Sequence, residues 1–336
     1  MKKKFLTILK YIFFLALGAG LLYFAFRNTN PQQMIQEMRE ANYFWVGISV
    51  FVSIFSYYSR AARWLILLEP LGYKPKVSNS LYSVFFGYFA NIAAPRIGEL
   101  ARCSALNQTE KIPLNVLIGT VILERALDVV ILLFLLVVAF VLNIELFGNF
   151  FLTIFRDKFN SIDSATLTKF SAIVFIILVF FSVLVFIFRK KIQQIPFAGK
   201  IKTFLRGVLD GFSTILKLKK KWLFIFHTLF IWGAYIFMTY LGFFALKETS
   251  SLSFSDGIFI TVAGGIGMAA PANGGIGTYH AAVMFGLVAI GIEKNAGLVF
   301  ATIMHASQVL FILVTGSFSF LMLYIEKNKK KAHDTF

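Results

Sequence analysis

Three formal charges stand together inside an apolar stretch: Glu124-Arg125-Ala126-Leu127-Asp128 interrupts a run from 114 to 142 that is otherwise uncharged. Charges of this kind at the centre of a bilayer cost about 2.5 to 3.5 kcal/mol each, so they must be paired or hydrated and do not face lipid. Glu124 and Asp128 are four residues apart and share a helix face, while Arg125 reaches Asp128 three residues on. Asp128 precedes Leu142 by 14 residues, ~21 Å of helix, so with Leu142 at the outer edge of a ~30 Å core it lies ~9 Å above the cytoplasmic edge. Two readings stand side by side: an intrahelical ion pair that fixes packing, or one wall of a polar cavity. The cavity has candidate partners in Arg60 and Arg63, and in Arg96, Glu99 and Arg102, which recur every three residues and so line one face. Five arginines against Glu99, Glu124 and Asp128 leave an excess of positive charge, and guanidinium groups bind phosphate in a bidentate manner. An anionic headgroup is the expected guest, with cytoplasmic anchoring as the alternative role of Arg60 and Arg63.

A weak internal repeat surrounds these residues. Ala93-Ala94-Pro95-Arg96-Ile97-Gly98-Glu99 and Ala269-Ala270-Pro271-Ala272-Asn273-Gly274-Gly275 agree at four of seven positions. Each proline removes a backbone donor and pushes the preceding residue toward an extended conformation, which breaks a helix. Proline also starts helices well, so each copy is expected to be a half-helix, a bend and a second half-helix with its N-terminus directed inward. Asn273 is expected to cap the second one, and Gly274, Gly275 and Gly277 allow close backbone approach to an anion. Tight helix packing is the alternative use of those glycines. His280 and His305 offer either a proton relay or an interhelical hydrogen bond.

These elements belong in a membrane. The 336 residues are 58% hydrophobic and 15% charged, with mean hydropathy +0.76, which excludes a soluble enzyme, a disulfide scaffold and a disordered tail. One cysteine, Cys103, forms no internal disulfide or ligand cluster, so no metal and no cofactor are expected. Charge-poor runs fall at 5–26, 43–68, 78–94, 114–142, 166–188, 222–246, 254–270, 273–292 and 295–325. They are continuous rather than alternating, which indicates helices.

The net charge of +17 is distributed by side. Residues 189–221 hold ten Lys and Arg against Asp210, and the tail adds Lys327, Lys329, Lys330 and Lys331. Both are expected to be cytoplasmic, together with the N-terminus, while 143–165 and 247–253 are expected outside. These sides are consistent only if 78–112 and 254–292 are re-entrant hairpins entering from opposite faces. That is the plan of an inverted repeat in which broken helices meet near the midplane. Residues 196–221 alternate apolar and basic side chains at helical spacing, as an interfacial helix on anionic lipid does.

Taken in order, Arg60, Arg63-Trp64, Pro95-Arg96-Ile97-Gly98-Glu99, Glu124-Arg125-Ala126-Leu127-Asp128 and Pro271-Ala272-Asn273-Gly274-Gly275-Ile276-Gly277 resemble the transmembrane region of lysylphosphatidylglycerol synthases, the flippase-like domain family. The resemblance covers nearly the whole chain. In the two-domain synthases a soluble aminoacyl-transferase follows this region, and the membrane part is thought to move the modified lipid outward. Here Phe336 comes about ten residues after the last run, so no aminoacylation is expected. Relatives often carry an acidic residue shortly after the GGIG motif, where this sequence has Thr278-Tyr279-His280.

The expectation is therefore an all-α polytopic protein of the bacterial inner membrane with both termini cytoplasmic. It has about six spanning helices and two re-entrant hairpins in one domain, with repeat halves at about 5–142 and 166–325. It is expected to be a non-enzyme that binds, and moves between leaflets, an anionic phospholipid or lipid-linked headgroup. The site comprises Arg60, Arg63, Arg96, Glu99, Arg102, Glu124, Arg125, Asp128, Asn273, Gly274, Gly275, Gly277 and His280. No nucleic-acid partner is expected, and a homo-oligomer or a partner enzyme remains open. A non-transporting adaptor for a separately encoded lipid- or glycan-modifying enzyme is the alternative.

Overall fold

The computed structural model describes residues 19–20, 22–23, 26–27, 29–94, 96–143, 218–270 and 272–333. The runs at 166–188 and most of 5–26, the basic segment up to 217, the interfacial helix, Pro95 and Pro271 lie outside the described residues.

Among the described residues the chain is helical and holds no strand. The helices are α1 (Pro31–Glu40), α2 (Tyr43–Leu68), α3 (Val77–Ala93), α4 (Gly98–Glu110), α5 (Leu114–Leu142), α6 (Lys221–Phe243), α7 (Phe254–Ala269), α8 (Thr278–Ala289) and α9 (Lys294–His333), with short 3-10 turns at Glu69–Leu71 and Asn273–Gly275. Local chemistry sets several starts. Asn30 accepts hydrogen bonds from the backbone N–H of Gln32 and Gln33 ahead of α1, and Ser253 and Asp256 form a reciprocal capping box on α7.

Helices α5, α6 and α9 are long and apolar enough to cross a membrane. Along α5, Leu133, Phe134, Leu136, Val137, Phe140, Val141 and Leu142 are exposed large apolar residues, a surface suited to lipid and not to water. By contrast α3, α4, α7 and α8 have 17, 13, 16 and 12 residues, short of the ~20 needed to span a ~30 Å core.

Helices α2 and α6 pack side by side and run antiparallel. Asn42 N–H donates to the Ala245 carbonyl at 2.8 Å, Ser49 Oγ to the Met238 carbonyl at 3.1 Å, Ser59 Oγ bonds His227 Nδ1 at 2.6 Å, and Lys220 meets Glu69 at 2.8 Å. Rising numbers on α2 match falling numbers on α6. The rest of the packing follows the same exchange. Helix α2 touches α3 as α6 touches α7, α3 folds on α4 as α7 on α8, α4 meets α5 as α8 meets α9, and α3 lies on α9 as α7 lies on α5. The set α2–α5 is thus repeated by α6–α9 with its direction inverted.

The breaks fall where proline chemistry places them. Helix α3 ends at Ala93 and Ala94 is extended (φ −150°, ψ 140°); α7 ends at Ala269 and Ala270 is extended (φ −64°, ψ 145°). Each is the residue before a proline. The second arms start later than expected: α4 begins at Gly98 and α8 at Thr278, so neither proline is the first helical residue. The first hairpin closes at Gly98, where an added Cβ would lie 2.2 Å from the Gly87 carbonyl oxygen and 2.5 Å from Asn91 Nδ2. The second closes at Gly267, where it would lie 2.7 Å from the Thr278 carbonyl oxygen. One apolar core, around Trp64, Leu106 and Leu117, backs the first hairpin; another, around Phe243, Met284 and Phe300, backs the second.

Candidate functional site

Three helices bring charge together where none should be stable alone, and a fourth adds a hydroxyl. From α2, Arg63 sends Nη1 to Asp128 Oδ1 at 3.0 Å and faces Glu124 with Nε at 3.6 Å. Arg60, one turn earlier, reaches Asp128 Oδ2 at 3.3 Å and donates to the Tyr235 hydroxyl of α6 at 3.0 Å. Helix α4 contributes Arg102, which pairs with Glu124 of α5. Arg125, the next residue on α5, approaches Asp128 at 3.7 Å. Arg63 and Glu124 have no exposed side-chain surface, whereas Arg125 is 39% exposed.

Aromatic and hydroxyl groups hold the guanidinium planes in place. The Arg102 guanidinium lies 4.7 Å from the Trp64 ring centroid. Trp64 is itself fixed by its indole N–H donating to Thr120 Oγ1 at 2.9 Å. Arg63 also donates to Thr228 at 3.4 Å, and Arg60 lies 5.9 Å from the Tyr88 ring centroid. Even so, Arg60 Nε, Arg63 Nε and Nη2, Arg102 Nε and Arg125 Nε are buried with no hydrogen-bond partner among the described residues. Buried guanidinium donors without acceptors are costly, and a group able to accept from several of them would relieve that cost.

The predicted residues divide into two places. Arg60, Arg63, Arg102, Glu124, Arg125 and Asp128 form the cluster. Arg96 and Glu99 do not share it: Arg96 is exposed at the tip of the first hairpin, in the left-handed region at φ 61°, and donates to the Ala269 carbonyl at 3.4 Å. Glu99 is half-buried, and no described carboxylate–guanidinium pair includes it. The single arginine-rich wall foreseen for α4 is therefore split, because the helix begins only at Gly98 and leaves Arg96 on the bend.

The other residues gather at the second hairpin's tip. Asn273 does not cap α8: the cap position is Gly277, with no side-chain bond, and Asn273 instead opens the 3-10 turn, its carbonyl accepting from Ile276 N–H at 2.9 Å. Gly274, Gly275 and Gly277 have φ of 55°, 80° and 84°, a backbone path that favours glycine. His305 Nε2 bonds the Gly274 carbonyl at 2.8 Å. The ring of His280 lies 4.8 Å from that of His305, and Tyr279 stacks on His305 at 5.2 Å. Tyr88, Thr228 and Tyr235 were not foreseen in the cluster. They are uncharged, and no spacing signal links α3 or α6 to α5.

The family model described as the lysylphosphatidylglycerol synthase TM region matches residues 11–316. Over 140 residues the chain is 31% identical to a UPF0104 membrane protein of Methanocaldococcus jannaschii, covering 40% of this chain and 38% of that protein. The match thus spans about two-fifths of the relative's length. No solved structure matches the chain.

Proposed function

The chain belongs to the lysylphosphatidylglycerol synthase TM-region family, and from that premise we propose that it is a multipass, non-enzymatic lipid carrier that binds an anionic headgroup at the arginine cluster and passes it between leaflets. The carrying observation is the set of buried guanidinium groups on α2 and α4 that outnumber their carboxylates and keep unpartnered N–H donors. Arginine in this state is a receptor for phosphate.

The charge distribution supports an orientation. One end of the bundle collects Lys76 with Glu326, Lys220 with Glu69, and Lys327 with Gln108. The opposite end collects Glu37, Glu40, Glu248 and Glu293, with Lys247 3.9 Å from Glu40 and Lys294 donating to the Arg27 carbonyl, and lacks the first end's excess of lysine among the described residues. The basic end is cytoplasmic on this reading, in a bacterial inner membrane. Arg63 is six residues before Glu69, so the cluster lies ~9 Å inside that end, within reach of a headgroup in the inner leaflet. The inverted hairpins, touching tip to tip, are the elements that rock to re-expose the guest.

Reconstitution into vesicles with labelled lipids tests this. Leaflet exchange of an anionic lipid is expected for the native chain and not for Arg63→Gln. Absence of exchange for every lipid by folded protein would overturn transport, and headgroup binding without exchange would assign the adaptor role.

A further inference from the structure

The ionic composition of the cluster also specifies its guest. We infer that the bound headgroup is a doubly charged phosphate, a lipid phosphate monoester, and not the singly charged diester of ordinary anionic phospholipids. This rests on the headgroup-binding reading above and goes beyond it.

Two independent features support a dianion. The first is charge. Arg60, Arg63, Arg102 and Arg125 supply four positive charges, and Glu124 and Asp128 supply two negative ones within 4.0 Å of them. The other polar groups in contact with the arginines, Tyr235 and Thr228, carry no formal charge. Among the described residues an excess of two therefore remains, on helices whose surfaces face lipid, where uncompensated charge is costly. A diester would leave one charge uncompensated; a monoester leaves none.

The second is the number of donors. Among the described residues five buried guanidinium nitrogens have no hydrogen-bond partner: Arg60 Nε, Arg63 Nε, Arg63 Nη2, Arg102 Nε and Arg125 Nε. Arg60, Arg63 and Arg102 are no more than 4% exposed, so bulk water does not serve these three side chains. Glu124 Oε1 is likewise without a hydrogen bond and stands 3.6 Å from Arg63 Nε, so Arg63 is not committed to it. A monoester presents three terminal oxygens where a diester presents two, so it can offer one oxygen to the donors of each of the helices α2, α4 and α5.

The test is lipid binding to the full chain in nanodiscs at pH 9, because the membrane surface raises the second ionisation of a lipid phosphate monoester above the value of about 6 found for a phosphate ester in water. The probes are phosphatidic acid and phosphatidylmethanol with identical acyl chains, which differ by one methyl group and one charge. Phosphatidic acid is expected to bind at least about tenfold more tightly, because one more unit charge lies within a few ångströms of several guanidiniums. Arg125→Gln, which removes one charge from the least buried position, is expected to narrow that ratio.

Equal binding of the two lipids, both abolished by Arg63→Gln, would overturn the dianion assignment and leave headgroup binding intact. Binding of neither lipid above phosphatidylcholine would overturn headgroup binding itself, and the dianion with it. Glycerol 3-phosphate supplies the same headgroup without chains: affinity equal to that of phosphatidic acid would uphold the charge match and overturn a lipid as its source.

Discussion

Gly274, at the tip of the second hairpin, lies against Ile92, at the tip of the first: a Cβ placed on Gly274 would stand 3.6 Å from the Ile92 Cα. Two helical hairpins of opposite direction thus meet backbone to backbone, with Arg96 donating across the same junction to the Ala269 carbonyl. Cysteines at the two positions, in a chain whose one native cysteine, Cys103, is replaced by Ala, fall within the range that a disulfide bridges. Oxidation of Ile92→Cys/Gly274→Cys is expected to give a linked peptide pair by mass spectrometry. If the tips must part during transport, exchange stops on oxidation and returns on reduction.

The first hairpin closes because two glycines sit face to face. An added Cβ at Gly98 meets the Gly87 carbonyl oxygen at 2.2 Å, while one at Gly47 or Gly119 meets nothing within 4 Å. Gly98→Ala is therefore expected to lower the unfolding free energy by ~3 kcal/mol or more, since backbone cannot yield as a flexible side chain does. Gly47→Ala and Gly119→Ala are expected to be neutral or to stabilise by up to ~1 kcal/mol through helix propensity. Thermal unfolding in detergent distinguishes the two classes.

The sequence makes the long elements legible and the junctions less so. The runs at 43–68 and 114–142 coincide with α2 and α5, because a continuous apolar helix in lipid has sharp ends where polar residues begin. The pairing of Arg125 with Asp128 follows from helical spacing alone, and the inverted order follows from where the lysines lie. The second arms of the hairpins begin later than the prolines suggest, since several residues are needed to turn the chain. That shift left Arg96 on the bend and Asn273 in a 3-10 turn. The convergence of Arg102 on Glu124 and of Tyr235 on Arg60 depends on which helices touch, and periodicity along one helix carries no record of its neighbours.

Glu37, on the short polar helix α1, provides a pH test at the end away from the arginines. Partial burial, and the nearby Glu248, Glu293 and Glu40, hold its carboxyl above the ordinary range, against the hydrogen bond it accepts from Gln33. A raised carboxyl favours the folded state while protonated. Its contribution is complete below the ordinary carboxylate pKa and is lost as pH rises through the raised value. Glu37→Gln is expected to melt higher than the native chain at neutral pH, with the difference vanishing in acid. A melting difference that grew toward low pH would show the sign to be wrong.

The pair Arg63 and Glu124 separates what the cluster does for the fold from what it does for a ligand. Both side chains are fully buried, and Arg63 also holds Asp128. Arg63→Met leaves Glu124 with Arg102 alone and costs Asp128 its nearest cation, so a loss of about 3 to 5 kcal/mol is expected. Arg63→Met with Glu124→Met removes one charge of each sign and restores apolar packing. Part of that loss is then expected to return, giving a coupling energy of roughly 1 to 3 kcal/mol in a double-mutant cycle. A cluster serving only packing would let this folded double variant exchange lipid normally. A phosphate site requires Arg63 itself, so the double variant, though folded and more stable than the two single losses added together, is expected neither to bind phosphatidic acid nor to move it.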